Sequence, residues 1–283
     1  MLGSSGSMES VIPFSFLLNH LIVIPVDVNG EERKFIFDTG IGVTVITKRF
    51  AEYLNVKPDG TYTGKRMSGQ DVSMQLTRLQ RIRVGHVERS EFTVGIFDTS
   101  AFPSELNEIS GILAPNYFEE VIFTVNFESS EILIRGDLDK LEELSEFVIP
   151  LDVEKLWPAI TIFVSVILPS NRKTRLELDS GSDALILNSK FMDELNIDRK
   201  GTQIDILKGV DETGSEYVRY LTVLKGKITI AGAEEVFKTD PRVIFQDIIY
   251  DGLLGNEFLL NYNVTFDLKH GRMGFATFSE IYT

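Results

Sequence analysis

The chain has 283 residues, 43% of them hydrophobic and 25% charged, with a formal net charge of −14 and no cysteine. That length buries a substantial core, either as one large domain or as two lobes of about 140 residues, and the composition is that of an ordinary soluble globular protein. The acidic balance argues against a nucleic-acid partner, which needs clustered Lys and Arg, and the lack of cysteine removes disulfides, thiol nucleophiles and Cys-based metal sites.

The leader Met1-Leu2-Gly3-Ser4-Ser5-Gly6-Ser7-Met8 reads as an expression scar and stands outside fold reasoning. If Met8 is the native start, the absence of a signal suggests cytoplasm; if the scar replaced a signal peptide, a periplasmic or secreted protein is equally reasonable. The most apolar stretch, Val11 to Val28, is interrupted by Asn19, His20, Pro25 and Asp27, so it predicts strands and no membrane span.

Ile22 to Val28 and Arg33 to Asp38 flank Asn29-Gly30, a strong hairpin signal. The run Phe35-Ile36-Phe37 ends in Asp38-Thr39-Gly40, and Val43 to Ile46 and a short helix over Lys48 to Leu54 follow, with Asn55 as its stop. Arg66-Met67-Ser68-Gly69-Gln70-Asp71 is a polar segment suited to an exposed hairpin tip, a candidate mobile flap. A run ending in Gly111-Ile112-Leu113-Ala114 precedes a last hairpin, and the Leu-rich acidic stretch Asp137 to Glu146 predicts a short linking helix.

The second half runs through the same sequence of elements. Ile160 to Leu168 and Thr174 to Asp179 flank a longer Pro169-Ser170-Asn171-Arg172 connection. Leu176-Glu177-Leu178 ends in Asp179-Ser180-Gly181, followed by Ala184 to Leu187, a helical stretch over Ser189 to Leu195, and Asn196. The segment from Lys208 through Gly209 to Gly214 predicts a second flap, and Gly252-Leu253-Leu254-Gly255 matches the earlier Gly-containing run. Trp157-Pro158 is expected to pack at the junction of the halves, and the isolated His20, His86 and His270 read as surface or strand residues.

The two Asp-Thr/Ser-Gly segments lie 179 − 38 = 141 residues apart, and the same offset pairs Phe50 with Phe191, Leu54 with Leu195, Gly60 with Gly201, Gly111 with Gly252 and Leu113 with Leu254. Asn126 falls on Asp267, and Val11-Ile12-Pro13-Phe14 recurs as Val148-Ile149-Pro150-Leu151 at the slightly different offset of 137. This organisation predicts a leader over 1–10, a first lobe over 11–140, a linker over 141–150 and a second lobe over 151–283.

The duplicated pattern resembles the aspartic protease superfamily, in the form of a single chain with two retropepsin-like lobes as in the bacterial retropepsin-like proteases. The resemblance spans essentially residues 11 to 283 and rests on the hydrophobic-hydrophobic-Asp-Thr/Ser-Gly loop and on two hydrophobics before a Gly about 75 residues later, complete at Leu253-Leu254-Gly255 and altered at Ile112-Leu113-Ala114. It implies an all-β, bilobal, pepsin- or retropepsin-like fold with short helices. It further implies a catalytic pair of Asp38 and Asp179 sharing a proton at the base of a cleft, with Thr39, Gly40, Ser180, Gly181 and Ser182 supporting the loops. Ser68, Gly69, Gln70 and Gly209 would cover an extended peptide or protein substrate.

Ile41 stands where the family usually carries Ala, Ser or Thr, so the first loop is expected to lack a hydroxyl that Ser182 supplies in the second. Ala114 adds bulk where the family has Gly, and no equivalent of a pepsin-type flap Tyr is evident. The expectation is an aspartic endopeptidase that acts as a monomer without metal or other cofactor. Alternatives are a non-catalytic peptide-binding module of the same fold, a pair of aspartates merely capping strand ends, and a carbohydrate-active enzyme, disfavoured by a single Trp and by the duplicated loops.

Overall fold

The protein is described by a computed structural model over residues 9–99, 103–135, 141–210 and 216–278; the expected leader, residues 137–140 of the expected linking helix and most of the second candidate flap tip lie outside the described residues. The first half runs β1 (Glu9–Pro13), β2 (Ser15–Leu17), β3 (Leu21–Val28), β4 (Glu31–Phe37), β5 (Val45–Thr47), α1 (Lys48–Tyr53), β6 (Gly60–Lys65), β7 (Asp71–Val84), β8 (Val87–Phe97), β9 (Ile109–Leu113), β10 (Ile122–Asn126) and β11 (Glu131–Arg135). The rest comprises α2 (Leu141–Leu144), β12 (Phe147–Pro150), β13 (Asp152–Leu156), β14 (Ala159–Ile167), β15 (Lys173–Leu178), β16 (Leu185–Asn188), β17 (Asp205–Val210), β18 (Glu216–Val223), β19 (Lys227–Ile230) and β20 (Ala233–Thr239). It closes with β21 (Arg242–Gln246), β22 (Gly252–Leu254), α3 (Asn256–Leu259), β23 (Asn263–Asp267) and β24 (Arg272–Ala276). The fold is all-β and bilobal, with short helices, as expected. No helix among the described residues is long and apolar enough to cross a membrane.

Three sheets organise these strands: β2 to β9 form a sheet of the first lobe, β13 to β22 a sheet of the second, and β1-β11-β10-β23-β24-β12 a six-stranded sheet that draws on both halves. Alternation explains β3, whose residues switch strictly between half-buried and buried so that Ile22, Ile24, Val26 and Val28 face the core. It turns into β4 through Asn29 and Gly30, both at positive φ, the backbone that a two-residue hairpin demands. Each lobe then places its aspartate-bearing strand parallel to a later one, β4 beside β9 and β15 beside β22. Strands β5 and β16 run antiparallel to the same partners from the other side.

The six-stranded sheet sets the relation between the halves. In the β10–β23 pair Thr124 lies opposite Thr265, their hydroxyls 2.8 Å apart, and 265 − 124 = 141. The pairing partner of Thr124 is thus also the residue one sequence offset away, as it must be on a two-fold axis. Phe123 stacks on Phe266 at 4.8 Å between ring centroids, and contacts Phe118 and Phe37 at 4.6 and 5.8 Å. This buried cluster fixes the end of β4, where Asp38 begins.

Three local expectations change. The stretch over Ser189 to Leu195 is not an α-helix: only a 3-10 turn over Ser189–Phe191 forms, because Asn188 caps the Lys190 amide while Asp247 and Asp251 hold the side chains of Ser189 and Lys190. Trp157 does not pack at the lobe junction but is 77% exposed at the tip of the β13–β14 hairpin, although the adjacent Pro158 carbonyl does accept a bond from Asn116 of the first lobe. The helix expected over Asp137 to Glu146 is confined, among the described residues, to α2, and β12 then joins the six-stranded sheet beside β24.

Replacing Phe123 by Ala should cost about 3–5 kcal/mol of stability, since it empties a fully buried aromatic site on the axis. Urea unfolding of the variant against the parent chain measures it.

Candidate functional site

The inner strands β4 and β15 deliver Asp38 and Asp179 to one point. The amide of Asp38 donates to the Leu113 carbonyl at 3.0 Å, and that of Asp179 to the Leu254 carbonyl at 3.2 Å, so each loop is anchored on the parallel neighbour of its strand. Between the loops, the Thr39 amide donates to Ser180 Oγ and the Ser180 amide to Thr39 Oγ1, both at 3.0 Å. Thr39 Oγ1 in turn donates to the Leu178 carbonyl at 2.9 Å. Both hydroxyl residues are buried, so these reciprocal bonds lock the two loops together beneath the carboxyls.

The carboxyls of Asp38 and Asp179 lie side by side, with the Gly181 amide donating to both. Asp38 Oδ1 also accepts from the amides of Gly40 and Gly181, at 2.8 and 3.1 Å, and Asp179 Oδ1 from Gly181 at 3.0 Å. Only glycine fits at these two positions: a Cβ on Gly40 would overlap the Asp179 carboxyl, and one on Gly181 the Asp38 carboxyl. Burial pushes both carboxyls up from the usual aspartate range. Asp179 rises well above it because the charge of Asp38 adds to the desolvation. Such a pair holds one proton between two oxygens, and can accept a proton and donate one in the same event.

A cleft of about 1140 Å³ opens over Gly40, Ile41 and Gly42. Its first-lobe wall includes Lys48, Tyr62, Lys65, Arg66 and Met74, and its second-lobe wall Glu154, Leu156, Thr161, Glu177 and Tyr250. The β6–β7 hairpin tip closes it from above: Gly69 sits at a positive φ of 87°, close against Ile249, and the Ile249 amide donates to the Met67 carbonyl at 2.8 Å. Ser68 and Gln70 flank this contact and are exposed. The first candidate flap therefore reaches across to the second lobe.

Of the second candidate flap, the described residue Gly209 does not line the cleft. It lies within β17 opposite Tyr217, whose ring covers it. Ser182 turns its hydroxyl to the backbone of Ala184, at 3.3–3.4 Å, and not to the Asp179 carboxyl. The hydroxyl difference expected from Ile41 is thus not expressed as a bond to either aspartate. His86 bonds Ser10 and His270 bonds Asp267, away from the pair.

A comparison with protein families matches residues 24–115 to the model described as aspartyl protease. The first lobe belongs to the aspartic protease superfamily. The match covers the Asp38 segment; the Asp179 segment is tied to it by the bonds above. No curated protein sequence matches the chain.

Sequence reasoning passed over Tyr62, Tyr250 and Glu177. Tyr62, on the strand leading into the flap, puts an aromatic hydroxyl into the cleft, and burial raises its pKa. Glu177 is buried in the second-lobe wall with its pKa pushed up to about 9, by burial first and then by the charges of Asp179, Asp38 and Glu154. A signal was present: in Leu176-Glu177-Leu178-Asp179 the alternation of a strand puts Glu177 on the same face as Asp179.

Thr39→Val, which keeps shape and removes the hydroxyl, should cost about 2–4 kcal/mol by leaving the Ser180 amide and Leu178 carbonyl unpaired, whereas Thr39→Ser should cost far less; equilibrium denaturation separates them. Glu177→Gln should raise stability. A carboxyl whose folded pKa exceeds its unfolded value binds more protons folded, so it costs nothing below about pH 4.5 and increasingly more as the pH climbs towards about 9. Unfolding free energies should therefore coincide near pH 4 and favour the Gln variant by about 1–3 kcal/mol at pH 7.

Proposed function

We propose that the chain is an aspartic endopeptidase that hydrolyses peptide bonds with a water activated by the Asp38/Asp179 pair. The observation that carries this reading is the pair itself, two carboxyls sharing the Gly181 amide on cross-linked loops at the edge of a large interlobe cleft. A substrate would lie extended between the lobes, with the backbone of Ser68, Gly69 and Gln70 covering it in the manner of an added strand.

In the first step the ionised carboxyl takes a proton from the water while the protonated one gives its proton to the scissile carbonyl oxygen. The water oxygen bonds to the carbonyl carbon and a neutral tetrahedral diol forms. Collapse then breaks the carbon–nitrogen bond: the protonated carboxyl gives its proton to the leaving amine while the ionised one takes a proton from a diol hydroxyl, whose oxygen becomes the carbonyl of the new acid, so the pair is again singly protonated. No covalent enzyme intermediate is involved. The elevated pKa of the pair serves this chemistry, because it keeps one proton on the site well above the range in which separate aspartates lose theirs. Since one chain supplies both carboxyls, the active unit is proposed to be the monomer.

A peptide library incubated from acid to neutral pH should be cleaved by the parent chain and inhibited by pepstatin. Asp38→Asn and Asp179→Asn should each lower kcat by at least about 10³-fold, with a bell-shaped pH profile in the parent. Peptide binding without cleavage at every pH would instead identify a binding module of the same fold.

A further inference from the structure

Of the acidic side chains lining the cleft, Asp71, Asp98, Glu154 and Glu177, only Glu177 is buried, and the proposed chemistry does not use it. It is only 6% exposed, no hydrogen bond to its carboxyl is found among the described residues, and it lines the cavity together with Thr161, Ala159 and Tyr250. It precedes Asp179 by two residues on the same strand, which sets the two about 6–7 Å apart along one face of the sheet. That spacing is the length of about two residues of an extended chain, so a substrate side chain next to the bond held at the pair would meet Glu177. The residue at the corresponding place in the first lobe, 177 − 141 = 36, is the apolar Ile36. Burying an unpartnered carboxyl there is expensive, and the interior offers nothing to offset it.

We propose that Glu177 is a specificity-determining residue: an acidic subsite beside the aspartate pair that selects Lys or Arg at a substrate position flanking the scissile bond. The proposal rests on the peptidase reading above. The groups facing Glu177 are the carboxyls of Asp38, Asp179 and Glu154, the phenol of Tyr250, and Arg175. Arg175 is already held by Asp152 and by Glu154 at 2.6 Å, with its guanidinium stacked 3.9 Å above the Phe163 ring, so it does not neutralise Glu177. The cations lining the cleft, Lys48, Lys65 and Arg66, all belong to the first-lobe wall, and Lys65 is bound to Asp71. Among the described residues that line the cleft, the second-lobe wall carries Glu154 and Glu177 and no cation.

In the empty cleft the Glu177 carboxyl is held as a neutral acid at neutral pH. An ammonium or guanidinium group entering the cavity supplies a charge-assisted hydrogen bond, draws the carboxyl to its ionised form and releases a proton to solvent. The preference for a cation therefore strengthens as the pH rises from acid towards neutral. Uncharged aliphatic side chains would leave the carboxyl desolvated and unpaired.

The test compares matched peptides carrying Lys, norleucine or Gln at each position flanking the cleaved bond, assayed with the parent chain and Glu177→Gln. The expected result is a Lys-to-norleucine ratio in kcat/KM of at least about tenfold at one position, rising between pH 4 and pH 7, and falling to within about threefold in the variant. A ratio near one in the parent chain, a preference for Gln over Lys, or a Lys preference that survives the substitution overturns the proposal. The same peptides with the scissile amide reduced are measured for affinity in parallel. If nothing is cleaved but the Lys peptide binds more tightly in a Glu177-dependent way, the subsite stands and the peptidase reading fails; equal affinities for Lys and norleucine overturn the subsite.

Discussion

The arrangement depends on holding two buried carboxyls side by side on one shared donor, the Gly181 amide. Left to themselves, two aspartates repel and hydrate separately, so the contact has to be enforced by something stiffer than the pair. The reciprocal bonds of Thr39 and Ser180 supply that stiffness from below, and the amides of Gly40 and Gly181 supply donors from the side. The absence of a Cβ at either glycine lets each loop approach the other's carboxyl. Further down, the six-stranded sheet prevents the lobes from sliding, because its central pair contributes Phe123 to the cluster that supports β4. The strand ladders, the aromatic cluster and the loop cross-link thus act in series on one contact.

That contact also accounts for the distribution of stability. Burial leaves Asp38, Asp179 and Glu177 with raised pKa values where the lobes meet, which makes the folded state progressively less favourable as the pH rises. A core assembled for stability alone would place an aliphatic residue at 177, as the first lobe does at Ile36. Local cost of this kind, concentrated in a cleft and carried by an otherwise well-packed β scaffold, is the usual mark of a site shaped for a ligand. In the proposed reading, the aspartate pair uses that cost to retain a proton and Glu177 uses it to recognise a charge.

Much of this was legible in the sequence because it follows period-two patterning and turn chemistry. The Asn29-Gly30 hairpin, the strands ending in Asp38 and Asp179, and the asparagines closing the segments after them, Asn55 at φ 53° and Asn196 at φ 57°, all express local rules. What escaped was decided by long-range partners. The helix expected after Asn188 shortens because Asp247 and Asp251, far along the chain, claim its side chains. Gly209 looks like a tip residue in sequence, yet the strand pairing continues past it to Val210 opposite Glu216. Glu177 reads as one polar residue in a strand until the topology closes a cavity around it.

The two first-lobe departures from the family pattern show how the scaffold absorbs substitution. Ala114 fits because the first loop is held differently: the Ala114 amide donates to Thr44 Oγ1, Thr44 donates to Asn116 Oδ1, and Asn116 Nδ2 donates across to the Pro158 carbonyl. In the second lobe, a Cβ at Gly255 would strike the carbonyls of Ala184 and Ser182, and Asn256 takes the anchoring part by donating to the Ser180 carbonyl and across to the His20 carbonyl. Each lobe therefore sends one asparagine amide into the backbone of the other, by different local routes. The amides of Asp38 and Gly40 keep their partners despite Ile41 and Ala114. The changes that distinguish the first loop thus fall on how it is anchored and leave the donors to the carboxyl in place.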